Sequence, residues 1–115
     1  EQVIVNELAP RPHNSGHYTI EACSFDQFDA HIRGIAGWPL EQPELLKPAV
    51  MVNVLGQHVA PTRALIAEHP EWNMHDYCKA EVRHDRKMGH ITVLTDDTRQ
   101  TVADLERTGC WDDLK

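Results

Sequence analysis

Apolar and polar positions along the chain change period several times, and each change marks an expected element. Val3, Ile4 and Val5 form a β-branched run that predicts a short strand, ended by Pro10 and Pro12. Residues 10–17 read as a loop stiffened by two prolines, with Gly16 allowing a tight bend, and residues 18–23 as a helical turn. Ser24 and Gln27 have the spacing of a capping box, and Phe25, Phe28, Ile32 and Ile35 follow at helical intervals. A helix is therefore expected to carry that stripe into the core and to end near Gly34 or Gly37. The proline-rich stretch 38–48 predicts an extended connection, and 49–55 a buried strand closed by Gly56. Pro61 suits the first turn of a helix reaching about His69, where Pro70 stops it. Strands are expected over 76–83 and 90–94, joined by a tight turn near His84 and Asp85. A last helix over Val102 and Leu105 is capped by Asp97 with Gln100 and ends at Gly109.

The order strand, helix, strand, helix, strand, strand, helix predicts an α+β chain, with no internal repeat or flexible linker. Composition narrows its class. The 115 residues are 41% apolar and 25% charged, ordinary for a soluble globular domain, and no apolar run approaches membrane-spanning length. The net charge of -7 argues against nucleic acid as a partner. Cys23, Cys78 and Cys110 are odd in number and widely spaced, so a disulfide framework is not expected and a cytoplasmic setting is. Cys78 is expected to be a buried structural thiol. The chain opens without Met, directly in what reads as a strand, as a piece of a longer protein would.

Two loci carry candidate chemistry. In the first, Asn6 and Glu7 end the expected strand, and Arg11, His13, Asn14, Ser15 and His17 follow. Loops after strands are where rigid scaffolds present functional groups. A strand-terminal Glu beside Asn suits a hard cation such as Mg²⁺, which takes one or two carboxylates plus phosphate oxygens, and Arg11 suits bidentate capture of phosphate or carboxylate. Zinc on His13 and His17 is the competing reading, weakened because Pro12 and Gly16 break the helix that this spacing needs. In the second locus, Lys79, Arg83, Arg86 and Lys87 face only Glu81 and Asp85. A hairpin there would bring Lys79 and Arg86 together as a phosphate clamp, a point charge beside a planar fork. Met88 and His90 read as packed strand residues. The tryptophans are too scattered to suggest a binding role.

Three ordered motifs then carry a resemblance. The run Asn6-Glu7-Leu8-Ala9-Pro10-Arg11-Pro12-His13-Asn14-Ser15-Gly16-His17-Tyr18-Thr19, the run Pro48-Ala49-Val50-Met51-Val52-Asn53-Val54-Leu55-Gly56, and the run Arg86-Lys87-Met88-Gly89-His90-Ile91-Thr92-Val93 resemble the C-terminal signature of the 5-(carboxyamino)imidazole ribonucleotide synthase family. The likeness extends to about Asp97. It implies the C-terminal part of an ATP-grasp fold: the last core strand with its loop and helix over 1–47, then over 48–115 a small β-rich subdomain of the rudiment-hybrid kind with a terminal helix. It also implies ATP-dependent carboxylation of aminoimidazole ribonucleotide by bicarbonate through carboxyphosphate, with ATP and Mg²⁺ as cofactors and a homodimer as the assembly.

Carried onto this chain, the resemblance makes Glu7 the Mg²⁺ ligand, with Asn6 beside it at the nucleotide. Arg11 and His13 become the catalytic pair, and His13, Asn14 and Ser15 line the pocket for bicarbonate and ribonucleotide. Lys79 and Arg86 hold the 5′-phosphate. The chain departs from the family at Tyr77-Cys78-Lys79, where Tyr-Gly-Lys is usual, and at Arg83-His84-Asp85-Arg86, where Arg-Pro-Gly-Arg is usual. It contains no glycine-rich phosphate loop or adenine-binding strand, so the isolated chain is expected to be inactive. A reading from another class is a non-catalytic module that self-associates through its first strand.

Overall fold

The computed structural model describes residues 1–114. Its centre is a three-stranded antiparallel sheet of β1 (Ala49–Leu55), β2 (Asn73–Asp76) and β3 (Lys87–Leu94), in the order β1-β3-β2. The middle strand is buried from Met88 to Val93, as an apolar run flanked on both edges should be. Of the helices α1 (Thr19–Ala22), α2 (Gln27–Ala36), α3 (Val59–Leu65) and α4 (Thr98–Arg107), α1 packs on β3, and α3 and α4 pack on β1. The core joins Val54, Val59, Trp72, Met88, Ile91, Val93, Leu105, Cys110 and Trp111, with the Trp72 and Trp111 rings edge to face at 6.0 Å. Trp111 Nε1 also donates to the Asn53 carbonyl (2.9 Å), so that one tryptophan both fills the core and occupies an acceptor on edge strand β1.

The helix ends follow the signals in the chain. Asp97 Oδ1 accepts from Gln100 N–H (3.0 Å) at the start of α4, and Gly109 follows that helix with φ 75°. Helix α3 tightens into a 3₁₀ turn over Ile66–Glu68 before His69 and Pro70. Helix α2 runs through Gly34 and stops at Gly37 (φ 69°).

Several expectations are corrected. Residues 3–5 form no strand: Val3, Ile4 and Val5 are exposed and have no ladder partner among the described residues. A β-branched run is held extended only by a neighbour, and all three strands of the sheet come from farther along the chain. Ser24 does not cap α2. Asp26 does so through Asp29 N–H (2.8 Å), while Ser24 Oγ accepts from Glu44 N–H (2.9 Å). The stripe on α2 is not core, since Phe28, Ile32 and Ile35 are 40%, 62% and 73% exposed. The penultimate strand occupies Asn73–Asp76 rather than 76–83, because Cys78 adopts φ 53° and turns the chain out of the ladder. Cys78 is consequently exposed rather than buried.

Candidate functional site

The first locus forms an open cavity of roughly 620 Å³ lined by Asn6, Glu7, Arg11, His13, Ser15 and Gln27, among others. Its geometry follows from Gln27, whose spacing in the sequence suggested only a helix cap. His13 N–H donates to Gln27 Oε1 (2.9 Å) and Gln27 Nε2 donates to the His13 carbonyl (2.8 Å), so the start of α2 holds the loop by its backbone. This pairing fixes which end of the Gln27 amide is NH₂, and its other hydrogen then reaches His17 Nδ1 (2.7 Å). The His13 ring is equally determined. Ser15 N–H donates to its Nδ1 (3.2 Å) with the Ser15 hydroxyl also at 2.8 Å, which leaves the proton on Nε2, donated to Glu7 Oε1 at 2.8 Å. The loop thus presents a carboxylate, an imidazole and a hydroxyl in a connected row. Asn14 Oδ1 lies buried without a hydrogen-bond partner, and Asn14 does not line this cavity.

Behind the loop is a cluster of rings that single-sequence patterning did not reveal, because its members come from three separate segments. The His90 ring, only 2% exposed, stacks on His17 (5.1 Å) and on His75 (4.5 Å), and its Nδ1 lies 2.8 Å from the Tyr77 hydroxyl. His75 Nε2 donates to Glu21 on α1 in a short hydrogen bond. Burial together with the neighbouring His75 and His17 pushes the His90 pKa down to about 4. His17 is lowered for the same first reason, burial, with Lys87 the next cause. Burial also raises the Tyr77 phenol. The sequence reading of Met88 and His90 as packed strand residues agrees with their burial. The zinc reading finds no support, since no group of three or more His, Cys, Asp or Glu side chains among the described residues is arranged to hold a metal.

At the second locus, Lys79 Nζ lies 5.8 Å from the Tyr77 ring centroid and donates to the Lys87 carbonyl (2.6 Å). Arg86 Nη1 donates to the Glu81 carbonyl (3.1 Å) across the same turn. Lys79 is therefore anchored one residue from Arg86. The turn is an irregular loop over 77–86 rather than the expected hairpin of two long strands. A chain of contacts links the two loci: Glu7 to His13, His13 to Gln27, Gln27 to His17, His17 to His90, His90 to Tyr77, and Tyr77 to Lys79.

Comparison with known proteins bears on the family. Residues 49–104 match the family model of the phosphoribosylaminoimidazole carboxylase C-terminal domain, and residues 1–28 match that of the ATP-grasp domain. An N5-carboxyaminoimidazole ribonucleotide synthase of Staphylococcus saprophyticus is 56% identical over 101 residues, covering 87% of this chain and 27% of the relative. The structure of the Staphylococcus aureus N5-carboxyaminoimidazole synthetase complexed with ADP superposes with a TM-score of 0.86 at 54% identity, over 93% of this chain and 29% of that one. The Aspergillus clavatus synthase, solved with ADP and 5-aminoimidazole ribonucleotide, gives 0.74 at 35% identity, over 85% and 28%. The chain spans less than a third of the length of these relatives. It belongs to the ATP-grasp family of N5-carboxyaminoimidazole ribonucleotide synthases, of which it holds the C-terminal part.

Proposed function

We propose that this chain supplies part of the substrate site of an ATP-dependent ligase that carboxylates 5-aminoimidazole ribonucleotide with bicarbonate. In that reaction a bicarbonate oxygen attacks the γ-phosphorus of ATP and ADP leaves. The carboxyphosphate so formed passes its carboxyl group to the amine, releasing phosphate. The observation that carries the reading is the unbroken row of side chains from Glu7 to Lys79, which supports one face serving both a phosphoryl-transfer centre and a phosphomonoester. The relatives solved with ADP, and with ADP and 5-aminoimidazole ribonucleotide, point the same way.

The donor chemistry at Glu7 fits Mg²⁺ as a single carboxylate ligand. The carboxylate is exposed at the cavity, and a cation that keeps phosphate oxygens and water in its shell needs no more from this chain. When bound, Mg²⁺ neutralises charge on the transferring phosphoryl group. Asn6 lies beside Glu7 at the nucleotide, and Arg11 orients the anion from the cavity wall. His13 offers its Nε2–H, now spent on Glu7, to an anionic oxygen, while Asn14 and Ser15 complete the loop around bicarbonate and ribonucleotide. Lys79 and Arg86 take the 5′-phosphate. The assembly is read as a homodimer.

A chimera tests this. The matching C-terminal segment of the staphylococcal synthase is replaced by this chain, and bicarbonate- and ribonucleotide-dependent ADP release is measured. Activity is expected to survive the exchange, and Glu7→Gln in the chimera to lower it on the order of a hundredfold. A folded chimera that hydrolyses ATP equally well with Gln at position 7 would overturn the assignment of Glu7.

A further inference from the structure

Two separate contacts mould the turn that carries Arg86, and both come from the dipeptide directly after β1. Gly56 passes so close to this turn that a Cβ there would lie 1.9 Å from the Arg83 carbonyl oxygen, so only glycine permits the approach. The Gln57 amide grips residue 85 twice: Oε1 accepts from Asp85 N–H (2.9 Å) and Nε2 donates to Asp85 Oδ1 (2.9 Å). Nε2 also donates to Asp113 Oδ2 (2.9 Å). Asp113 Oδ1 in turn accepts from Nε2–H of the buried His58 (2.7 Å), whose Nδ1 accepts from Leu55 N–H (3.1 Å). The other Asp85 oxygen lies 3.2 Å from His84 Nδ1.

The gripped residue has an uncommon backbone. Asp85 has φ 61°, a left-handed conformation that non-glycine residues adopt only as isolated positions. Such a conformation persists where surrounding contacts over-determine it. Here the contacts are those of Gln57, and the next residue is Arg86. The clamp thereby sets the direction in which the Arg86 side chain leaves the backbone, one residue before the carbonyl that anchors Lys79.

We propose that Gln57, seated on Asp113 and His58, is a positioning residue for Arg86 in the recognition of a sugar phosphomonoester. The proposal rests on the reading of Lys79 and Arg86 as phosphate ligands given above. Gln57 acts through the backbone of Asp85 and does not itself meet the ligand.

The test titrates the chain with ribose 5-phosphate and follows the amide and Arg86 Nε–H resonances by NMR, with a melting curve for each variant. Arg86→Ala is expected to weaken binding about tenfold or more, as loss of a charge-assisted contact does. Gln57→Ala is expected to weaken it about threefold to tenfold, with the Arg86 Nε–H resonance shifted and the melting temperature little changed. Asp85→Asn keeps the acceptor and tolerates the left-handed backbone, so it stays within about twofold of the parent chain. If Gln57→Ala melts substantially lower, Asp113→Ala decides by the same criteria. Parent-like binding by the deciding variant, with Arg86→Ala impaired, would sink the positioning role and spare the phosphate reading. Parent-like binding by Arg86→Ala would remove both.

Discussion

Among the described residues, Cys78 and Asp85 are the two non-glycine residues with positive φ, at 53° and 61°, and each directly precedes one of the proposed phosphate ligands, Lys79 and Arg86. Each is held by hydrogen bonds, one local and one from across the fold: Asp76 Oδ1 accepts Cys78 N–H (2.8 Å), and Gln57 grips Asp85. That hydrogen bond, followed by the one from Arg63, lowers the Asp76 pKa. Cys78→Gly removes the Cβ penalty and is expected to stabilise the chain by about 1 kcal/mol in urea unfolding, whereas Cys78→Ala leaves stability near the parent value. His90 gives a second prediction at this scale. It is neutral in the fold down to about pH 4, whereas the unfolded chain takes up that proton below its ordinary pKa near 6.5. Its contribution to stability is therefore complete above pH 6.5, declines as pH falls toward 4, and levels off below. The loss is on the order of 3 kcal/mol, and chemical unfolding at several pH values should show a smaller decline for His90→Gln.

Among the elements, β3 is anchored on both sides and α2 on little. The helix places Asp26, Gln27 and Asp29 in hydrogen bonds at its start, and an Asp29–Arg33 pair (2.9 Å) along it. Yet Phe28, Ile32 and Ile35 are exposed, as are Trp38, Leu40, Leu45 and Leu46 farther along the chain. Phe28 still stacks on His17 (5.4 Å), but the two isoleucines bury little and add little to stability. Ile32→Asp with Ile35→Asp is expected to change unfolding free energy by less than about 1 kcal/mol. The same pair should suppress any concentration-dependent association in sedimentation. The opposite holds at Gly56. There, Gly56→Ala forces a Cβ into the Arg83 carbonyl and is expected to cost about 2–4 kcal/mol, measured by thermal or urea unfolding.

At the scale of the whole molecule, the second half of the chain closes on itself while the first half is tied to it by side chains. The C-terminal turn reaches back through Asp113 to His58, which, after Gln57, lowers the Asp113 pKa. The loop of the first locus is joined to the sheet by the His17, His75, His90 and Glu21 contacts. No helix among the described residues is long and apolar enough to cross a membrane. The purified chain is expected to show no bicarbonate-dependent ATP hydrolysis, because its 115 residues contain no glycine-rich phosphate loop. Turnover by this chain above a Glu7→Gln control would contradict that expectation.

The sequence by itself determined the order of most elements, the caps at Asp97 and Gly109, the burial of Met88 and His90, and the polar residues of both loci. Those features are written in local spacing, which a chain carries wherever it goes. The tertiary structure decided the rest. Ladder partners, not β-branching, made Asn73–Asp76 a strand and left residues 3–5 without one. Packing, not periodicity, left the α2 stripe in solvent. The clamps of Gln27 on His13 and Gln57 on Asp85, and the stacked rings around His90, join residues far apart in the chain. No local pattern announces such contacts, because their partners become neighbours only after the sheet has formed.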